Sequence, residues 1–167
     1  DVGAVILRLS DDGTYNMLLG CTDMGTGCDT ILAQMAADCL DCRMEDIAVY
    51  ASDTDTAPYD SGSYASATTY VTGMACVRAC EELRGKILHQ GAKMLNLSDD
   101  AVEFDGKRVY ALEDDTCAVT LADIAYSGQC NCSDVLSATV SHSSPVSPPP
   151  FMAGAAEVEV DPETGHV

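Results

Sequence analysis

Positive charge is scarce in this sequence: Lys and Arg number 8 against 27 Asp and Glu, a formal balance of −19 over 167 residues. Nucleic acid and anionic membrane both require basic surface, so neither is expected as a partner. No apolar run approaches the ~20 residues that a membrane span requires. No signal-peptide pattern precedes the first strand, and the chain starts at Asp1 rather than Met, as a processed or excised piece would. Cysteine is plentiful, but its number, nine, is odd, and Cys39, Cys76 and Cys80 sit among apolar residues. Free buried thiols in a reducing compartment, hence a cytoplasmic protein, are the expectation. Cys39 and Cys42 form a C-x-x-C and Cys130 and Cys132 a C-x-C, yet neither a four-ligand zinc spacing nor a thioredoxin-like setting surrounds them.

Apolar residues are not scarce. They make up 47% of the chain, enough for one core, and residues 1–167 read as a single domain. Ala4–Leu9 and Tyr15–Cys21 alternate as strands around an Asp11-Asp12-Gly13 turn. Ile31, Leu32, Met35, Cys39 and Leu40 give Thr30–Asp41 a helical stripe, and Ile47–Ala51 reads as a short buried strand. A long helix is predicted from Ser66 or Thr68 to Leu95. Val102–Phe104 and Arg108–Tyr110 flank Asp105-Gly106, a hairpin signal. Leu121–Tyr126 reads as one or two helical turns capped by Thr120, and residues 127–150 as an irregular connector ending in prolines. Ala153–Val160 alternates as a strand, followed by a tight turn at Asp161–Gly165. Only two residues follow that turn, so the chain is expected to be a fragment of something longer. The fold class is α+β: a two-layer sandwich with a mixed sheet and two main helices packed on one face.

Two stretches invite a ligand. LLGCTDMGTGCDTILAQMAADCL, residues 18–40, reads as a strand end, a bend at Gly25-Thr26-Gly27, and a helix. Such a bend leaves N–H groups free at a helix N-terminus, where the helix dipole favours negative charge. The loop Thr54–Thr69 delivers Ser66 and Thr68 to the start of the long helix in the same way. Two such ends can converge on one anion. Asp23, Asp29, Asp53, Asp55 and Asp60 lie near these loops, where capping or solvation is their expected role. His89, His142 and His166 have no Ser or Cys partner suggesting a triad.

In order, GCTDMGTGCDTILAQMAADCL, DTDTAPYDSGSYASATTYVTGMA and PPPFMAGAAEVEVDPETGHV resemble three segments of the molybdenum-cofactor-binding subunit of the xanthine dehydrogenase and aldehyde oxidase family. The resemblance implies a bacterial-type oxidoreductase that hydroxylates an aldehyde or N-heterocycle with water as oxygen source. It implies a molybdenum-pyranopterin, as molybdopterin or its cytosine dinucleotide form. Iron–sulfur clusters and FAD are expected only on other domains or subunits, and the rest of the molybdenum subunit and a small-molecule substrate complete the list of partners. Gly25, Thr26, Gly27, Ser63, Tyr64, Ala65, Ser66 and Thr68 match cofactor-contacting positions, with Ala65 at a small-residue position beside the metal. No protein ligand to the metal and no catalytic residue is expected within 1–167; the family's Glu base and its substrate pocket match nothing here. Two departures stand out: Thr26 replaces the usual Gln, whose amide reaches further, and Ala67 replaces a common Ser. Two other readings follow from the residues. One is a non-catalytic scaffold of the same fold that has lost the cofactor. The other is a thiol metal or redox module at Cys39, Cys42, Cys130 and Cys132.

Overall fold

Alternation of apolar and polar residues puts one face of each early strand against the core. The computed structural model describes residues 1–131, 135–149 and 151–167. In it Gly3–Leu9 (β1) and Tyr15–Leu19 (β2) pair antiparallel, with Val5 opposite Leu19, Leu7 opposite Met17 and Leu9 opposite Tyr15. All six side chains are buried. Ile47–Ala51 (β3) joins β2 in parallel and Ser137–His142 (β7) joins β1 antiparallel, giving a mixed sheet in the order β3-β2-β1-β7.

Two helices cover the buried face: Cys28–Leu40 (α1) and Thr68–Leu95 (α2). Leu32, Ala36 and Leu40 of α1 meet Ala75, Cys76, Ala79, Cys80, Leu83 and Ile87 of α2 within one core. Small Ala and Cys side chains let the backbones approach closely, and Leu and Ile fill the remaining volume. This is the expected α+β arrangement, with both main helices on one face of a mixed sheet.

A second, three-stranded antiparallel sheet follows, built from Val102–Phe104 (β4), Arg108–Ala111 (β5) and Ala118–Thr120 (β6). Leu121–Asn131 (α3) leaves it, with the Thr120 hydroxyl accepting the Asp123 N–H as expected of a cap. Two contacts tie this sheet to α1. A Cβ on Gly106, at φ +86°, would overlap the Asp41 carbonyl oxygen, so the β4–β5 turn sits directly on the end of α1. The half-buried Arg84 guanidinium donates to the Cys39 carbonyl (3.3 Å) and the Phe104 carbonyl (2.8 Å) and lies over the Phe104 ring.

Several expectations need correcting. α1 begins at Cys28, not Thr30, because Gly27 takes a left-handed N-cap conformation. Ser66 lies before α2, in a 3-10 turn over Tyr64–Ser66. The stretch read as an irregular connector, residues 127–150, holds the end of α3 and strand β7, whose polar SATVSH pattern hides an edge strand. Ala153–Val160 is exposed and forms no strand, since alternation makes a strand only where a neighbour completes the ladder. The Asp161–Gly165 turn is present, closed by the Gly165 N–H on the Asp161 carbonyl at 2.8 Å. Cys132 and Pro150, and with them part of the C-x-C and of the proline run, lie outside the described residues.

Candidate functional site

Both loops that the sequence singles out leave the same end of the β3-β2-β1-β7 sheet. β2 ends at Leu19, and a Cβ on Gly20 would overlap the Pro58 carbonyl oxygen and touch Asp60. The missing side chain at Gly20 therefore lets the two loops pack together. The Ser52 hydroxyl strengthens the junction by donating to the Cys21 carbonyl at 3.0 Å.

The first loop is set by one carboxylate. Asp23 Oδ1 accepts the N–H groups of Gly25 (2.8 Å) and Gly27 (3.1 Å), whose φ angles are +94° and +73°. Here the structure departs from expectation: the Gly25 and Gly27 amides are not free for an anion, because Asp23 holds them. What remains open is the first turn of α1, which has no side-chain cap.

The second loop is tied down at more points. Asp60 accepts the Gly62 N–H (2.8 Å) with one oxygen and the Thr72 hydroxyl (3.0 Å) with the other. Ser61 N–H donates to the Val2 carbonyl (2.8 Å), and the Ser61 hydroxyl accepts the Val2 N–H (2.9 Å). Ala65 and Ser66 both stand at positive φ, +49° and +59°, where an L side chain costs about 1–2 kcal/mol per residue. Strain of this kind persists only where surroundings impose it, and it clusters at functional sites. α2 also starts without a side-chain cap.

Between the two loops lies a cavity of about 170 Å³. Met24, Thr26, Cys28 and Ile31 line it from the first loop and α1; Ser63, Ser66, Thr68 and Thr69 line it from the second loop and α2. Of the expected residues, Thr26, Ser63, Ser66 and Thr68 are thus brought together. The backbone of Gly25, Gly27, Tyr64 and Ala65 shapes the loops without lining the cavity. Met24, Cys28, Ile31 and Thr69 are additions. Cys28 and Ile31, three apart at the start of α1, share one helix face, a signal present in the sequence.

The lining carries hydroxyls and a thiol but no Lys or Arg. Ser63 and Thr68 hydroxyls bond each other at 2.5 Å. Burial, then the Asp29 carboxylate at 3.5 Å, pushes the Cys28 thiol up; burial, then Cys28, pushes Cys21 up in turn. Both thiols therefore stay protonated at neutral pH. Asp23, Cys28 and Asp29 place their ligand atoms within 4.8 Å of one another, the one such group among the described residues. Asp23 is already committed there to two backbone amides. Asp53 caps the Asp55 N–H at 3.0 Å. His89 pairs with Asp99 and His142 with Arg78, neither lining the cavity. Cys39 lies against Cys76 and Cys80 across the helix interface, Cys42 packs at the edge of the same core, and burial pushes Cys42 to about 11. Among the described residues these thiols form no metal-sized group.

With two uncapped helix N-termini, four Ser or Thr hydroxyls beyond Thr26, and no cation, the cavity can hold an anionic or strongly polar group through backbone amides and hydroxyls. The family model described as the molybdopterin cofactor-binding domain matches residues 1–167. A probable hypoxanthine oxidase, XdhD, of Escherichia coli (strain K12) is 36% identical over 168 residues, covering all of this chain and 17% of that protein. The carbon monoxide dehydrogenase large chain of Hydrogenophaga pseudoflava is 32% identical over 120 residues, covering 72% of this chain and 15% of that one. Among solved structures, CO dehydrogenase from Oligotropha carboxidovorans superposes with a TM-score of 0.78 at 26% identity, over 86% of this chain and 18% of that one. The chain thus spans about a sixth of the length of the curated relatives it matches.

Proposed function

We propose that this chain, which belongs to the molybdopterin cofactor-binding domain family, forms one wall of the cofactor site in a molybdenum hydroxylase of the xanthine and carbon monoxide dehydrogenase type. The observation that carries the reading is the cavity in which Thr26, Ser63, Ser66 and Thr68 meet at two uncapped helix N-termini. Its donor set fits a pyranopterin and its phosphate. Hydroxyls can pair with the heterocycle, and the helix ends supply partial positive charge that the side chains lack. When bound, the molybdenum supplies the oxidation and the transfer of a water-derived oxygen. The residues of this chain bind and orient. Thr68 and Ser63, hydrogen-bonded to each other, offer one shared donor. Ala65, held at positive φ, turns the loop so that Ser63 and Ser66 on either side of it reach the cavity. Cys28, kept neutral by burial, closes the apolar side of the cavity with Ile31.

The finer assignments belong to the same reading. The cofactor is molybdopterin or its cytosine dinucleotide. The substrate is an aldehyde or N-heterocycle, and electrons leave through iron–sulfur and flavin groups on other domains or subunits. Residues 1–167 act as a single domain of a longer, cytoplasmic subunit.

The test is direct. The complete subunit, expressed with its partners under cofactor-replete conditions, is assayed for molybdenum by mass spectrometry and for pterin by fluorescence after oxidation. Near-stoichiometric pterin in the wild type, falling on the order of tenfold in a Ser66→Val, Thr68→Val double variant, supports the assignment. A folded wild-type subunit devoid of pterin overturns it.

A further inference from the structure

Asp23 stands exposed beside the cofactor cavity and does not line it. Its Oδ1 takes both the Gly25 and Gly27 amides, and apart from the adjoining residues nothing lies within 4 Å of the position a Cβ would occupy on either glycine. The bend is therefore shaped by one carboxylate oxygen rather than by packing. Thr26, bracketed by those two left-handed glycines, is the residue of the three that reaches the cavity.

We propose that Asp23 is a positioning residue: it locks the Gly25-Thr26-Gly27 bend so that Thr26 and the first amides of α1 face the ligand. The proposal rests on the cofactor reading above and adds to it a residue that acts without touching the cofactor. One acceptor oxygen that takes two amides at once ties the two glycines to each other and fixes the residue between them. Without those two bonds a Gly-Thr-Gly segment has more freedom to lose on ordering than almost any other tripeptide. A loop that holds its binding-competent shape only part of the time weakens apparent affinity by that fraction.

The role is tested in the complete subunit with its partners, comparing wild type with Asp23→Ala and Asp23→Asn. Asn keeps an acceptor oxygen at the same place and loses the charge; Ala loses both. Two quantities are read: molybdenum and pterin per subunit, and backbone hydrogen exchange over residues 24–28 in cofactor-free protein. Asp23→Ala is expected to hold about tenfold less cofactor and to exchange about tenfold faster at the bend, with α1 and α2 protection unchanged; Asp23→Asn stays within about threefold of wild type in both. Full cofactor and unchanged exchange in Asp23→Ala overturn the proposal. So does an Asp23→Asn variant as poor as Asp23→Ala, which assigns the effect to charge rather than to the pinned amides. A wild type without pterin sinks the cofactor reading alone, and the exchange measurement then still decides whether Asp23 holds the bend.

Discussion

The two loops that meet at the cavity solve the same geometric problem by opposite means. The first reaches left-handed backbone with Gly25 and Gly27, surrounded by open space and held by one carboxylate. The second reaches it with Ala65 and Ser66, at a cost in strain, and is held at its base by Asp60, Ser61, Thr72 and the packing of Pro58 on Gly20. Glycine makes a loop cheap to bend but leaves its shape to whatever pins it. Non-glycine residues in the same conformation need a scaffold that leaves no alternative. The first loop is therefore adjustable and the second preset.

The comparison breaks most severely at Gly20. A Gly20→Val substitution drives a side chain into Pro58 and Asp60 and separates the loops, with an expected loss of about 3 kcal/mol in chemical denaturation. Asp60→Ala removes the acceptor for the Gly62 amide and the buried Thr72 hydroxyl; it should cost about 2 kcal/mol and loosen only the second loop in hydrogen exchange. Ala65→Gly tests the claim of strain in the other direction: relief at φ +49° should outweigh glycine's added entropy and stabilise the fold by about 0.5–1 kcal/mol. A loss instead would mean that no strain resides there.

A pH series sharpens the contrast with a smaller effect. Cys21 and Cys28 underlie the first loop, and burial raises both thiols above the ordinary 9.0. Between the ordinary value and the raised one the folded form binds more protons than the unfolded. The stability these thiols contribute is complete below pH 9.0 and is lost as pH rises above it. The second loop contains no cysteine. Exchange should accelerate at residues 22–28 before residues 58–66 as pH is raised to about 10, and Cys21→Ala should blunt the difference.

Much of this was legible in the sequence. Apolar periodicity located β1, β2, α1 and α2, because each buries one face against a single core. The meeting of Thr26 with Ser63, Ser66 and Thr68 followed from two small-residue loops feeding two helices. What periodicity could not carry was partnership. SATVSH at β7 has weak alternation because it is an edge strand completed by β1, whereas Ala153–Val160 alternates well and pairs with no strand among the described residues. The capture of two amides by Asp23 was readable in principle, as an Asp two residues before a glycine favours that local bond. The bend's apparent freedom concealed it. The thiol of Cys39 illustrates the same limit: three residues from Cys42 in sequence, it lies against Cys76 and Cys80, which only the helix crossing reveals.

Arg84 carries a consequence for the whole surface. One of only 8 cationic side chains against 27 carboxylates, it is turned onto two carbonyls and a phenyl ring rather than onto a carboxylate. The exterior is thus a nearly uncompensated polyanion whose self-repulsion opposes compactness. Added electrolyte should therefore tighten this fold rather than loosen it, and the molecule's ease of folding is coupled to the ionic strength around it.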